Sequence, residues 1–510
     1  MERLSGLDAS FLYLETPTQL LHVCGLLILD PSTVPGGYSF AKLKHELLLR
    51  SRATPAFRRK LHDSAFNVDH PVWIDDEDFD IDRHLHRAAV PSPGDREQLA
   101  ETCAHIAGQP LDRNRPLWEF WVIEGLADGK VAVMTKMHHA SVDGVSGANL
   151  MAALCEIDPG APRPGLDRSY RAAHAPSDLL LAADGLAHIA MRPLKLLKLL
   201  PGTAAVASNW IRRARLGTAM PPPFSAPRTS FNGTITGHRS IAYIGVSLAD
   251  VKEIKQAFGT TVNDVVLAMC AGSLRGYLQD RGELPDIPLL TMVPVSVREG
   301  NEAKSRNKVS GRFTSLPTNI ADPVESLEAV SADNKATKEH YQSISAKILQ
   351  DWAQFAAPAM FGLAMRTYAA LRLAERHRVV HNLVISNVPG PPVPIYFLGA
   401  EVLGMYPLGP VFHGAGLNIT VLSNNGHLDI GIIACLEQVP HPWSLADEMP
   451  NVIAQLLAAA RQRTGTKAPA KPRARKTPAR KTSAPKTSAP NTSAESSSSK
   501  AAGNRSAGSK

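Results

Sequence analysis

The stretch Lys136-Met137-His138-His139-Ala140-Ser141-Val142-Asp143-Gly144 directly follows the alternating apolar run Val131-Ala132-Val133-Met134-Thr135. That run predicts a buried strand, so two adjacent histidines stand where the strand should emerge into a turn. Functional side chains often lie on loops that a rigid strand supports. The stretch therefore marks the expected centre of the fold and the first candidate site.

Adjacent residues of a strand point to opposite faces, so His138 and His139 can share one cleft only if the backbone bends there. We therefore expect one histidine to be the reagent and the other to support it. Asp143 and Gly144 precede residues 145–154, whose apolar spacing predicts a helix. At that helix entrance, Asp143 is either an N-terminal cap or a carboxylate that orients a histidine.

Length and composition predict a globular chain of two domains, because 510 residues exceed one typical core and 44% of them are hydrophobic. The five cysteines are scattered singly, without metal-ligand spacing, which favours reduced thiols in the cytosol. The first residues lack the basic start and apolar core of a signal peptide, and no uncharged apolar run reaches the roughly 18 residues that span a bilayer. We expect a cytoplasmic protein whose attachment to membranes or lipid inclusions is peripheral.

The net charge of +8 is concentrated near the C-terminal end. Residues 461–510 carry thirteen Lys or Arg and a single acidic residue, Glu495, which leaves the rest of the chain near −4. Lys, Ala, Pro, Ser and Thr dominate residues 464–510, and such a composition predicts a disordered tail because it cannot bury a core. A basic tail can bind nucleic acid or anionic lipid without specificity, but a solvated tail is the simpler interpretation. We expect no specific nucleic-acid partner.

Residues 161–225 are predicted to link the two domains, which then comprise residues 1–160 and 226–463. Leucines are interleaved with Lys and Arg between residues 194 and 215. This basic amphipathic pattern suits a helix that lies on an anionic membrane or lipid droplet. A helix that packs between domains explains it equally well, because Pro193 shortens the apolar face.

Four further motifs flank the histidine stretch. They are Leu4-Ser5-Gly6-Leu7-Asp8-Ala9-Ser10-Phe11, Pro116-Leu117-Trp118, Asn263-Asp264 and Asn387-Val388-Pro389-Gly390-Pro391. Asn263 or Asp264 can cap the helix that follows, and that structural role alone accounts for the pair. The lone His22, in the predicted strand 20–29, is interpreted as a strand histidine with a satisfied hydrogen bond.

Together, HHxxxDG and these motifs resemble the bacterial wax ester synthase/acyl-CoA:diacylglycerol acyltransferase family, over about residues 3–460. HHxxxDG alone marks only the superfamily of chloramphenicol acetyltransferase. The resemblance implies an α/β fold with two chloramphenicol-acetyltransferase-like domains, a helical linker and the disordered basic tail. It implies that His139 is the general base, with support from His138, Asp143, Gly144, Asn263 and Asp264.

The function that the resemblance implies is acyl-CoA-dependent O-acyltransfer, making triacylglycerol from diacylglycerol and wax esters from long-chain alcohols. A neutral histidine, with an ordinary pKa of about 6.5, can take the proton of an alcohol as it attacks a thioester. Long-chain acyl-CoA is a substrate here, and no cofactor or metal is expected. The expected partners are the acceptor lipid and a lipid droplet or inner membrane surface; the oligomeric state is not predicted.

Other functions remain open at this point. Metal-dependent hydrolysis through His138, His139 and Asp143 lacks both HExxH and a third clustered ligand. Ser141 as a hydrolase nucleophile lacks the GxSxG elbow. A non-catalytic lipid-surface protein that retains the fold, or an acyltransferase for another hydroxylated lipid, is also compatible with the chain, but the intact HHASVDG string favours a catalyst.

Overall fold

The computed structural model describes residues 2–63, 69–141, 154–158, 224–296, 309–341 and 358–465, with Ser177 and Gly185. These residues belong to one compact unit, residues 1–466. Asp143, Gly144, almost all of the predicted helix 145–154, nearly all of the predicted linker and almost all of the predicted tail lie outside the described residues.

Helices and strands alternate along the described chain, as an α/β fold requires. The helices are α1 (Gly6–Leu14), α2 (Phe40–Ala53), α3 (Arg96–Ala107), α4 (Leu248–Phe258), α5 (Val262–Asp280), α6 (Pro323–Tyr341), α7 (Pro358–Ala370) and α8 (Trp443–Thr464). The strands are β1 (Glu2–Arg3), β2 (His22–Asp30), β3 (Arg59–His62), β4 (Val72–Asp75), β5 (Leu85–Ala89), β6 (Trp118–Glu124), β7 (Val131–His138), β8 (Cys155–Glu156), β9 (Arg239–Ser247), β10 (Leu289–Ser296), β11 (Val309–Leu316), β12 (Leu383–Val388), β13 (Tyr396–Phe397), β14 (Ala400–Leu408), β15 (Leu417–Asn424) and β16 (His427–Cys435).

The first half is built on a seven-stranded sheet in the order β5-β6-β7-β2-β14-β13-β8. The histidine strand β7 lies in its interior, antiparallel to β6 and β2, and all eight of its residues are buried. Val131 and Val133 pack into one apolar core, while Ala132 and Met134 pack into another. Both faces of the strand are therefore covered, and the prediction of a buried interior strand is confirmed.

Two strands of this sheet come from residues much later in the chain. β14 pairs with β2, with Leu408 opposite Cys24, and β13 joins β14 to the short edge strand β8. Residues 396–408, which fall inside the predicted second-domain range 226–463, thus complete the sheet of the first half.

The second half is built on a six-stranded sheet in the order β11-β10-β12-β15-β16-β9, beside which α4, α5, α6 and α8 pack together. The predicted hairpin is present as β15 and β16. Asn425 and Gly426 form its two-residue turn with φ of +41° and +84°, the positive values that tight hairpin turns require.

The two halves meet in direct contact. The backbone N–H of Met405 in β14 donates to the carboxylate of Asp429 in β16 over 2.8 Å. A Cβ atom at Gly431 would lie 2.0 Å from the carbonyl oxygen of Pro407, so only glycine permits this approach. One apolar core also contains residues of α3, β9 and β16 together.

The helix after the Asn263-Asp264 motif begins differently from the prediction. Thr261, in extended conformation, is the N-cap of α5, and its hydroxyl accepts from the N–H of Asp264 over 3.1 Å. The Asp264 carboxylate accepts in return from the N–H of Thr261 over 2.8 Å, and from the amide of Asn334 over 2.6 Å. The prediction that Asn263 or Asp264 is the cap is therefore wrong in its residue, because both already lie inside the first helical turn.

Within the described residues, no single helix is both long and apolar enough to cross a bilayer, while α4 and α5, bent by 104° at their junction, meet those criteria only as a pair. The five cysteines are free thiols.

Candidate active site

The adjacent histidines lie where β7 leaves the sheet. The N–H of His138 donates to the carbonyl of Leu117 over 3.0 Å, and the N–H of His139 donates to the carbonyl of Leu21 over 2.8 Å. These carbonyls precede β6 and β2, the two neighbours of β7. Both histidines are therefore fixed by backbone hydrogen bonds from opposite sides.

The chain turns immediately after this pair. The N–H and the hydroxyl of Ser141 both donate to the carbonyl of His138, over 3.0 and 2.8 Å. The N–H of Ala140 donates to Nδ1 of His138 over 3.0 Å. His138 is only 1% exposed, whereas His139 is half-buried, so His138 holds the turn that presents His139.

The hydrogen bond from Ala140 also determines the tautomer of His138. Because Nδ1 accepts, a neutral His138 carries its proton on Nε2. Nε2 faces Oε2 of Glu15 at 3.6 Å, and Nε2 of His22, opposite His138 in the strand register, faces Oε1 of Glu15 at 3.5 Å. Both separations exceed an ordinary hydrogen bond, so we describe them as electrostatic contacts.

Glu15 itself is anchored from the other side. Nε of Arg113 donates to Oε2 of Glu15 over 3.1 Å, and a second guanidinium nitrogen donates to the same oxygen. Arg113 also donates to the carbonyl of Leu12 in α1 over 3.0 Å. Glu15, His22, Arg113 and His138 thus form one group, in which His22 and His138 are buried, Glu15 is half-buried and Arg113 is exposed; we call it the Glu15 cluster.

The charge state of the cluster follows from these contacts. Burial alone would raise the pKa of Glu15, but the contacts with His138 and His22 outweigh it and hold the pKa well below its usual range. Burial lowers the pKa of His22 to about 4, although Glu15 opposes that shift. At neutral pH, Glu15 is therefore ionised, His22 is neutral, and the Arg113 guanidinium compensates the carboxylate.

Helix α1 covers the turn. Its Phe11 ring stacks on the imidazole of His139, with centroids 3.8 Å apart and planes inclined by 21°. Phe11 also packs against a small apolar cluster that contains Leu12, Leu117 and Ala140. One helix thus reaches both histidines, His139 through Phe11 and His138 through the Glu15 at its C-terminal end.

The structure brings some of the predicted site residues together and separates others. His138 and His139 share the turn, whereas Asn263 and Asp264 lie at the start of α5 in the second half. The supporting roles of Asn263 and Asp264 stay predictions, as do those of Asp143 and Gly144, which lie outside the described residues.

The interpretation of His22 as a strand histidine is confirmed, because it begins β2, but the expected hydrogen bond is not made within the described residues. Among the residues that the structure describes, neither ring nitrogen of His22 has a hydrogen-bond partner, although the side chain is buried and Nε2 lies 3.5 Å from Oε1 of Glu15. The reason is geometric: β2 pairs with β7 so that His22 lies opposite His138, and both imidazoles face one carboxylate.

Sequence reasoning did not single out Glu15, Arg113 or Phe11 as site residues. The sequence signal that could have identified two of them is the spacing of Phe11 and Glu15. They are four residues apart, which places them on one helical face, and they directly precede the strand of His22. Nothing local in the sequence links Arg113 to this face.

No group of three or more His, Cys, Asp or Glu with an arrangement that could hold a metal ion occurs among the described residues. Asp143, the third member of the metal-dependent alternative, lies outside them.

Two family models match the chain. The wax ester synthase/diacylglycerol acyltransferase catalytic domain matches residues 4–266, and the corresponding C-terminal domain matches residues 306–456. A Mycobacterium tuberculosis protein that its name assigns to the diacylglycerol O-acyltransferases is 48% identical over 458 residues, 90% of each chain. A Mycobacterium bovis protein with the same assignment is 36% identical, over 88% of this chain and 97% of that one.

Solved structures share the architecture. The wax ester synthase/diacylglycerol acyltransferase from Marinobacter aquaeolei VT8 has a TM-score of 0.64 and 30% identity, over 90% of this chain and 100% of that one. The first condensation domain of the calcium-dependent antibiotic synthetase, 16% identical over 90% of this chain and 96% of that one, has the same fold with a TM-score of 0.53.

Fold and histidine turn together define a two-domain α/β acyltransferase. Within that class, the chain belongs to the wax ester synthase/diacylglycerol acyltransferase family. The predicted family, fold class and acyl-CoA-dependent acyltransferase activity are thereby confirmed.

Proposed function

We propose that this protein transfers the acyl group of long-chain acyl-CoA directly to the hydroxyl of diacylglycerol, with long-chain alcohols as a second class of acceptor. The observation that carries this proposal is the division of labour in the histidine turn: His138 is buried and bound to the backbone of the turn, and His139 is half-buried beyond it. An imidazole held at the end of an interior strand suits a base that must meet a hydroxyl at hydrogen-bond distance.

The proposed reaction needs only one proton carrier. The imidazole of His139 accepts the hydroxyl proton as the oxygen attacks the thioester carbonyl, which gives a tetrahedral oxyanion. Collapse of that intermediate breaks the C–S bond, forms the ester and releases the CoA thiolate. The thiolate then takes from His139 the proton that came from the acceptor hydroxyl. Because the thioester already has a good leaving group, we propose no acyl-enzyme and no metal or cofactor.

The same proposal assigns supporting roles. His138, through its hydrogen bond from Ala140, keeps the turn in shape. Asp143 would fix the turn or the orientation of His139, and Gly144 would allow close backbone approach. Asn263 and Asp264 would support the site through the entrance of α5, where Asp264 binds Asn334.

The proposed location is the cytoplasm, at the surface of a membrane or lipid inclusion. Both substrates are amphiphilic, and a protein that serves them gains access at such a surface. The basic amphipathic pattern of residues 194–215 supports this proposal.

The test is ester formation from labelled acyl-CoA with purified full-length protein. His139→Ala should lower kcat by about 10²- to 10⁴-fold, the usual contribution of a positioned base. His45→Ala, at an exposed position of α2, is the matched control and should leave kcat unchanged. Full activity in His139→Ala would refute the proposal.

Two further measurements use the same assay. Activity should persist in EDTA, because loss on chelation would favour the metal-dependent alternative. An acceptor panel of diacylglycerol, hexadecanol and another hydroxylated lipid identifies the product class. Ester formation with only the third acceptor would contradict the assignment of diacylglycerol.

A further inference from the structure

The face of the His139 imidazole is covered by one aromatic ring. The centroid separation of 3.8 Å and the inclination of 21° describe face-to-face contact between Phe11 and His139. Phe11 touches the imidazole that carries the proton in the proposed reaction, so it is well placed to influence that step.

The Phe11 ring is held by a helix with a defined start. The hydroxyl of Ser5 accepts from the N–H of Asp8 over 3.2 Å and donates to its carboxylate over 2.6 Å, which caps α1. Ala9 and Leu12 are buried on the side of α1 that packs near Ala140. The Leu4-to-Phe11 motif therefore builds a capped helix that delivers one aromatic ring to the histidine turn.

We propose that Phe11 is a positioning residue, which fixes the plane of the His139 imidazole and stabilises the imidazolium formed during acyl transfer. The inference rests on the proposed role of His139 as the base. An aromatic face attracts a cationic imidazolium more strongly than it attracts a neutral imidazole. The contact between Phe11 and His139 therefore strengthens as the proton moves to His139. Only an interaction that is stronger in the transition state accelerates the reaction.

The first arm of the test compares Phe11→Leu with Phe11→Tyr. Leucine keeps an apolar side chain but removes the ring, whereas tyrosine keeps the ring face. We expect Phe11→Leu to lower kcat by about tenfold, which corresponds to about 1.4 kcal/mol and lies within the range of cation–π contacts. The KM values for acyl-CoA and acceptor should change little, and Phe11→Tyr should retain most of the activity.

The second arm is the pH profile of kcat/KM. Because the phenyl face favours the imidazolium, its removal should move the acid limb of the profile to lower pH. A looser helix would lower the plateau without moving that limb. The described titratable groups around the turn, Glu15 on α1, His22 on β2 and His138 on β7, are the same in all of these variants, so the shift reports on the ring.

The matched control is Phe79→Leu. Phe79 also stacks on a histidine of the first half, His84, with centroids 5.3 Å apart and planes inclined by 19°. This variant should change stability but neither kcat nor the pH profile. Melting curves of all variants give the folded fraction to which activity is normalised, and Phe11→Met, which also lacks a ring, must reproduce Phe11→Leu.

A double variant separates this inference from the proposed function. If Phe11 acts through His139, Phe11→Leu should cause no further loss in the His139→Ala background. Normal kcat and pH profile in Phe11→Leu, alongside an inactive His139→Ala, would overturn the inference alone. An active His139→Ala protein that still loses activity with Phe11→Leu would overturn both.

Discussion

In the second half of the molecule, the buried amide of Asn232 is saturated with hydrogen bonds. In the first half, the buried imidazoles of His22 and His138 instead face the Glu15 carboxylate, at 3.5 and 3.6 Å. The Asn232 oxygen accepts from the N–H and hydroxyl of Thr229 over 3.1 and 2.7 Å, and from the amide of Asn382 over 2.8 Å. Its own amide donates to the carbonyls of Asn382 and Gly414 over 2.9 and 2.8 Å. By contrast, Nε2 of His138 and both ring nitrogens of His22 have no hydrogen-bond partner in the part of the chain that the structure describes.

The difference separates a structural network from a functional one. Neutral buried groups with all hydrogen bonds made hold a single conformation at little cost. A half-buried ionised carboxylate beside incompletely satisfied imidazoles costs stability, and such arrangements concentrate where chemistry takes place. The Asn232 network therefore shapes the scaffold, and the Glu15 cluster supports the histidine turn.

Among the variants that test this comparison, Glu15→Gln should have the largest effect. This change removes the charge that His138 and His22 face, and the histidine turn loses its electrostatic support. Because a misplacement of about 1 Å can cost about 10²-fold, we expect kcat to fall by roughly that factor. Steady-state release of CoA measures it.

The control for this variant is Glu119→Gln in the same half. Glu119 pairs with the fully buried Lys136 over 3.0 Å and, among the described contacts, touches neither His22 nor His138. Its loss should lower the melting temperature while folded protein keeps its kcat. A normal kcat in Glu15→Gln would mean that the Glu15 cluster is structural, like the Asn232 network.

Asn232→Ala tests the opposite side of the comparison. The variant removes the acceptor of the Thr229 N–H and hydroxyl and the donor to the carbonyls of Asn382 and Gly414, so the free energy of unfolding should fall by about 2 kcal/mol. Chemical denaturation measures that loss. The kcat and pH profile of the folded protein should match wild type, and a specific loss of kcat at full folding would contradict a purely structural network.

The smallest expected effect, taken per pH unit, is the pH dependence of stability that His22 contributes. Burial holds the folded-state pKa of His22 at about 4, below its unfolded value of about 6.5. The unfolded chain therefore binds the proton first as the pH falls. The stability that neutral His22 provides is complete above about pH 6.5 and is lost progressively towards pH 4.

His22→Gln should accordingly flatten the slope of unfolding free energy against pH in that window, by up to about 1.4 kcal/mol per pH unit. Burial also lowers the pKa of His381 and His413 to about 4, so part of the wild-type slope should remain. Denaturation series between pH 4 and 7 measure the slope, with His45→Gln as the exposed control. An unchanged slope in His22→Gln would contradict the neutral state of this residue.

Much of the fold was predictable because the sequence patterns that indicate it span only a few neighbouring residues. The alternating run before His138 indicates an interior strand, and Asn425-Gly426 between two apolar runs indicates a hairpin. Both predictions are confirmed. The cap of α5 was assigned to the wrong residue, since Thr261, Asn263 and Asp264 all have cap-forming side chains and only the backbone conformation distinguishes them.

The candidate site was predictable only in part. HHxxxDG indicated the histidine pair and the bend beside it. Glu15 was not predictable as their partner, because its contacts depend on how α1 lies over the sheet and on the register that sets His22 opposite His138. Arg113, distant from Glu15 in the chain, reaches it only in the folded protein.

The sequence by itself determined the strand that carries the histidines, the turn beyond it and the family. These properties depend on alternation, turn residues and motif order, which act over a few neighbouring residues. Only the tertiary structure decided that β14 completes the first sheet and that one helix supports both histidines. Those contacts join segments far apart in the chain, and they form because distant apolar surfaces are buried together, which no local pattern specifies.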